Sequence, residues 1–250
     1  MDDTPRPLTE HLDELRHRLF WALGSWLAAA ALTGLWVKQA FALLTFPAVR
    51  TLLERGQTLV ALAPPELFFA YVKTALLCGF VLTLPMTLYQ VWAFISPGLY
   101  ATERRFTLPF VLASTLLFFA GAAFGYFLAF PFVFEYLASL ESEVVRTGWS
   151  VSNVFAFISR LYLAFGISFQ LPVVIFFLSF AGITTPDQLA RGRKYAIVIM
   201  FAAGAILTPP DVVSQVMLAV PLLILYESGI LVSRLVSRRS RETSDTQEGA

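Results

Sequence analysis

One cysteine, two histidines and a charged fraction of 14% leave this 250-residue sequence poor in the groups from which most enzymatic sites are built. With Cys78 alone, a disulfide framework within the chain is excluded. There is no Cys/His cluster, no HExxH pair for zinc and no GxSxG elbow for a serine nucleophile. A phosphate-cradling P-loop is also missing, so energy for any work must come from outside the chain. Basic and acidic residues nearly balance, 18 against 17, and the resulting net charge of +1 gives no guide to partners. No catalytic residue, metal, cofactor or nucleic-acid partner is expected.

What the sequence has in quantity is apolar surface. Apolar residues make up 57% of the chain and the mean hydropathy is +0.70, beyond what a soluble domain carries. A bilayer-spanning helix needs about 20 mainly apolar residues. Six runs qualify as candidates: roughly 19–37, 67–95, 106–134, 155–181, 195–207 and 212–232. The expected fold is therefore all-α and polytopic, with six transmembrane helices. The fifth and sixth are short, since 13 residues from Tyr195 to Leu207 rise only about 20 Å. The first run is longer than a signal-peptide core and no small-residue cleavage pattern follows it, so it stays attached.

Loop charge sets the expected orientation, because Lys and Arg resist translocation. Arg6, Arg16, Arg18, Arg104, Arg105, Arg191, Arg193, Lys194 and the arginines from Arg234 onward all fall on one side of a six-span chain. The other side holds Lys38, Arg50, Arg55 and Arg146 outside the spans, with Lys73 and Arg160 near that end within them. Both termini are accordingly expected in the cytoplasm. Residues 1–234 read as one membrane domain, with 1–18 an amphipathic cytoplasmic segment, and 235–250 as a disordered tail with little to bury. The outer connections 38–65 and 136–152 read as interfacial caps, and Trp149 is a candidate anchor.

Two carboxylates stand out on the basic side. On a helical wheel Leu8, Leu12, Leu15 and Leu19 form one stripe, while Glu10, Asp13, Glu14 and His17 oppose it, so Glu14 is expected on a face turned to water. Glu103 follows Thr102 at the start of the third span, where the helix dipole favours an acid. Solvation and capping account for each acid separately; a cationic ligand accounts for both together. Within the spans, Gln170 lies near the middle of the fourth, Glu227 near the inner end of the sixth within reach of an arginine, and Asp211 after Pro209 and Pro210. Such polar groups are functional candidates, or they tie helices together.

The segments carrying these residues resemble one family. His11-Leu12-Asp13-Glu14-Leu15-Arg16 is similar to the N-terminal motif of TatC, the core subunit of the twin-arginine protein translocase. Tyr89 to Phe94, leading into Pro97-Gly98-Leu99-Tyr100 and Glu103-Arg104-Arg105, resembles its first cytoplasmic loop. Ala164-Phe165-Gly166 with Phe169, Pro172 and Val173 is similar to its fourth span, Gly182-Ile183-Thr184 to the connection after it, and Leu207 to Asp211 to its last outer hairpin. The resemblance runs from about Leu8 to Arg234, in order.

It implies a receptor that recognises the paired arginines of signal peptides on folded cargo. Such a receptor recruits TatA-type and TatB-type subunits, joins other copies of itself and draws on the proton-motive force, in a bacterial or archaeal cytoplasmic membrane. By that resemblance Glu14 and Glu103 take part in recognition, with Arg16, Phe94, Arg104 and Arg105 shaping the patch, while Gln170, Asp211 and Glu227 are the candidates for partner contact. Many family members carry glutamate where this chain has Gln170. A secondary transporter of small solutes is the competing class, and it would want ion-coordinating residues at midplane.

Overall fold

A computed structural model describes residues 8–95, 107–142, 147–207 and 212–248. Among them there are helices and one isolated bridge but no strand. In chain order the helices are α1 Leu8–Gly34, α2 Val37–Glu54, α3 Glu66–Ile95, α4 Thr107–Phe124, α5 Phe130–Ser139, α6 Val151–Ser168, α7 Leu171–Phe180, α8 Pro186–Leu207 and α9 Val212–Glu248. The described residues of the six apolar runs are helical apart from short breaks at 35–36 and 169–170 and the turn at 181. Four stretches are long and apolar enough to cross a bilayer, namely Glu66–Phe94, Leu108–Ser139, Val151–Phe180 and Gln215–Leu235, and α1 with α2 adds a further pair bent by 92°. The chain divides into two compact units, Met1–Leu44 with Ala61–Thr115 and Thr45–Val60 with Leu116–Ala250.

Prolines explain where the long helices change character. Pro131 cannot donate to the Phe127 carbonyl, and the turn before it widens into a π-segment, Gly125–Ala129, in which the Phe130 N–H bonds back to Gly125. Pro172 likewise cannot donate to Ser168, and there the fourth run divides into α6 and α7. Pro85 and Pro221 sit inside α3 and α9.

The two short apolar runs are parts of longer helices. Thr185 and Gln188 form a reciprocal cap: the Gln188 N–H donates to the Thr185 hydroxyl at 3.3 Å and the Thr185 N–H to the Gln188 amide oxygen at 2.9 Å. With Pro186 at the first helical position, α8 therefore starts nine residues ahead of Tyr195 and totals 22 residues. The helix α9 continues to Glu248 through the tail that composition predicts to be disordered. That tail has neither proline nor glycine from Leu235 to Glu248 to stop a helix, although its Ser, Thr and Asp are weak helix formers and little apolar surface supports it.

Close backbone approach holds the units together internally. In the first unit a Cβ on Gly79 of α3 would lie 2.5 Å from the Ala30 backbone nitrogen of α1. In the second, a Cβ on Gly121 would lie 2.5 Å from the Phe165 carbonyl oxygen, and one on Gly166 would meet the Phe118 ring at 2.4 Å. Small residues at helix crossings permit this contact where lipid offers no hydrophobic drive for association.

A clasp joins the connections that follow α2 and α5 within the second unit. Val60 and Ser150 pair in a parallel bridge, Trp149 donates its indole N–H to Gln57 at 2.9 Å, and the Gln57 amide donates to Glu141. Partial desolvation pushes the Glu141 carboxyl upward, but hydrogen bonds from Gln57, Thr147 and Trp149 outweigh it and hold the carboxyl below its ordinary range. A depressed carboxyl stabilises the fold above its unfolded value and loses that contribution as pH falls through the folded one. Hydrogen exchange at the Thr147 amide, bonded to Glu141 at 3.1 Å, is therefore expected to lose protection on acidification. Glu141→Gln should remove most of that pH dependence.

Candidate functional site

The helix α1 presents a different face to its neighbour from the one its leucines suggest. Glu14, Arg18, Ala22, Ser25, Trp26, Ala29, Ala30 and Thr33 are the shielded positions, and their spacing of three and four residues makes one continuous stripe. Leu12 and Leu19 lie on the outside, 62% and 63% exposed. The reason is steric. Small residues at the lower end of the stripe let α3 approach, with the Trp26 indole donating to the Leu76 carbonyl at 2.8 Å. Glu14 and Arg18 are the polar end of the same stripe, while the leucines face outward where lipid can take them. The expectation of a water-facing acidic surface holds for Asp13 and His17, which are exposed, and fails for Glu14, which is half-buried.

Glu14 is held by Arg18, one helical turn on. The Arg18 Nη2 and Nε donate to the Glu14 Oε1 at 2.6 and 3.0 Å, and both side chains are about a quarter exposed, 24% and 23%. From α3, the Gln90 amide oxygen accepts from the Arg18 Nη1 at 3.3 Å. With His17, Trp21 and Met86 these residues line a groove of about 480 Å³. The Trp21 indole donates to the His17 Nε2 at 2.9 Å along its rim.

Arg16 stands apart from that pair. It is exposed, with its guanidinium carbon 5.8 Å from the Phe20 ring centre. Arg18 and Gln90 are the residues that sequence reasoning passed over as site members. The Glu-to-Arg spacing of four was a usable signal for the first; nothing in the sequence joins Arg18 to a residue 72 positions away.

Phe94 is half-buried near the end of α3. Two positions earlier, Trp92 stacks on Phe110 of α4 at 4.7 Å between ring centres and donates to the Ser114 hydroxyl at 3.0 Å. This pairing ties together the two helix ends that flank residues 96–106. Glu103, Arg104 and Arg105 fall in that connection and lie outside the described residues, as does Asp211. Trp92→Phe keeps the stack and removes the hydrogen bond, so a stability loss of about 1 kcal/mol is expected in thermal unfolding. Binding of any ligand that uses this connection should weaken with it.

Gln170 has a local task. At the break before α7 the Gln170 backbone N–H bonds to Ile167 rather than to Gly166, and the Gln170 side-chain amide donates to the Gly166 carbonyl at 3.3 Å. An ionised carboxylate could not make that bond. Glu227 forms a forked pair with Arg193, 2.6 Å to the Nε and 2.9 Å to the Nη2, fastening α9 to α8 beside the Tyr226 hydroxyl bond to the Leu189 carbonyl. Among the described residues no set of His, Cys, Asp and Glu could hold a metal.

Long apolar helices define a polytopic membrane protein, and its groove brings together an ion pair and an amide. Comparison with known proteins makes the class specific. Residues 10–221 match the family described as "Sec-independent protein translocase protein (TatC)". Relatives of that name from Desulforapulum autotrophicum and Aquifex aeolicus are 40% and 41% identical, covering 100% and 94% of this chain and 91% and 98% of their own. The Escherichia coli relative is 37% identical over 98% of this chain. A crystal structure described as the twin-arginine translocase receptor TatC superposes with a TM-score of 0.82 at 40% identity, covering 91% of this chain and 99% of the other. The chain belongs to the TatC family: it is a multi-pass component of a Sec-independent protein translocase in the cell membrane, and its relatives are translocase components rather than enzymes.

Proposed function

We propose that this protein is the signal-peptide receptor of its translocase, with Glu14 and Glu103 each taking one guanidinium of a paired-arginine motif at the cytoplasmic surface. The observation that carries this reading is that Glu14 already holds a guanidinium, that of Arg18, in a half-buried groove. Carboxylate and guanidinium form charge-assisted hydrogen bonds whose geometry lysine cannot copy. Partial burial lifts such a contact above the ~0 to 1 kcal/mol of a fully exposed pair. Loop charge supports cytoplasmic termini, which would put α1 and the connection bearing Glu103 on the side where cargo is made. Phe94, Arg16, Arg104 and Arg105 would shape the patch. The solved relative's description as a receptor points the same way.

Partner subunits of TatA and TatB type, and further copies of the chain, would be met through the spans, with Gln170 and Asp211 as polar contacts and Glu227 securing α8 against α9 through Arg193. Transport would draw on the proton-motive force. A small-solute transporter lacks support, since the family match and the solved relatives are protein translocase components. The test is binding of a twin-arginine signal peptide to the purified protein in lipid, against its twin-lysine variant and against small solutes. The reading requires the arginine peptide to win by tenfold or more, which is about 1.4 kcal/mol. Equal binding of the two peptides would refute it.

A further inference from the structure

We infer that Arg18 is a built-in competitor for the signal peptide: it occupies Glu14 in the unbound protein and must be displaced when a peptide arginine takes the carboxylate. This rests on the reading of Glu14 as a ligand-binding acid. Three observations carry it. The Arg18 Nε and Nη2 both donate to the Glu14 Oε1, so a guanidinium of the same chemistry as the incoming one already rests on the carboxylate. Gln90 on α3 accepts from the Arg18 Nη1, giving the side chain a second anchor to keep once it lets go. The groove of about 480 Å³ beside the pair leaves room for that movement.

The exchange replaces one guanidinium by another of the same chemistry, so the carboxylate is never left unpaired in a half-buried setting. That lowers the barrier to exchange in a place where a bare charge would be costly. The competitor also acts as a threshold. When only a fraction of the protein is competent to bind, every ligand's apparent dissociation constant rises by the same factor. Arg18 therefore cannot improve the ratio between an arginine peptide and a lysine peptide. It shifts both affinities together, pushing weak sequences below useful occupancy while strong ones still bind.

This equality makes the test sharp. Arg18→Gln should tighten binding of a twin-arginine peptide and of its twin-lysine variant by the same factor, about fivefold on the scale of a partly exposed ion pair, leaving their ratio unchanged. In a Glu14→Gln background the Arg18→Gln substitution should change neither affinity. Arg18→Lys, which keeps the charge and loosens the grip, should give a smaller gain, and it serves as the measurement if the glutamine variant folds poorly.

Weaker binding in Arg18→Gln would make Arg18 a positioning residue for Glu14 and overturn the inference. A gain for one peptide only would show direct contact between Arg18 and the ligand, and a gain that persists in Glu14→Gln would show a general field effect; each contradicts the competitor role, as does no change at all. Failure of the underlying reading looks different: Glu14→Gln alone would then leave peptide binding untouched.

Discussion

Glu14→Ala is expected to weaken binding of a twin-arginine signal peptide by about 10- to 100-fold with the helical fold intact. That range follows from the ~1.5 to 3 kcal/mol carried by hydrogen bonds to charged groups. The fold should survive because the carboxylate is at the polar end of the α1 stripe, while the packing that joins α1 to α3 lies further along, at Trp26, Ala30 and Thr33. Glu103→Arg goes beyond neutralisation, placing a third basic side chain beside Arg104 and Arg105, and should abolish binding. Circular dichroism of the purified variants, beside peptide titration, separates loss of site from loss of structure.

Gly79→Val is expected to have the largest structural effect in the first unit. Even a single Cβ at this position would come within 2.5 Å of the Ala30 nitrogen and 2.6 Å of its Cα, both backbone atoms that cannot turn aside. Accommodation requires α1 and α3 to separate, and overpacking of this kind costs about 1 to 3 kcal/mol. The site suffers as well, since Gln90 reaches Arg18 only because α3 lies against α1. Thermal unfolding in lipid should show a lowered midpoint, and the peptide should bind more weakly than to wild type. Gly24→Ala on α1 is the control, because nothing lies within 4 Å of a Cβ there.

Much of this architecture was legible beforehand, and the reason is specific. A bilayer lets a long apolar run be read as helix, because each backbone polar group must be satisfied within its segment, and the described parts of the six runs are helical apart from short breaks. Helix ends were harder. The cap at Thr185 and Gln188 was present in the sequence, yet hydropathy alone started the fifth helix at Tyr195 and missed it. The face that α1 turns to α3 was not read from the sequence. The leucines can face lipid, and close packing is decided by the alanines and by Gly79 on the partner helix.

The site was legible in part for the same reason. Glu14 stood out as an acid among bases, whereas Arg16 was given the place beside the acid, and Arg18 entered the reading only through loop charge. One points to Phe20 and the other to Glu14, a distinction set by which residues share the α3-facing stripe. For Glu227 the nearby arginine is Arg193, 34 positions earlier, and only the antiparallel packing of α8 and α9 brings the two together. Gln170 shows the converse. Its place in the fourth span was plain, but its engagement of the Gly166 carbonyl depends on the turn broken at Pro172.

The most direct test is the preference between peptides in the double variant Glu14→Ala/Glu103→Ala, measured by crosslinking in native membrane with twin-arginine and twin-lysine signal peptides side by side. If the two acids read the two arginines, the variant should crosslink both peptides equally and weakly. A double variant that still prefers the twin-arginine peptide as strongly as wild type would place recognition elsewhere in the chain.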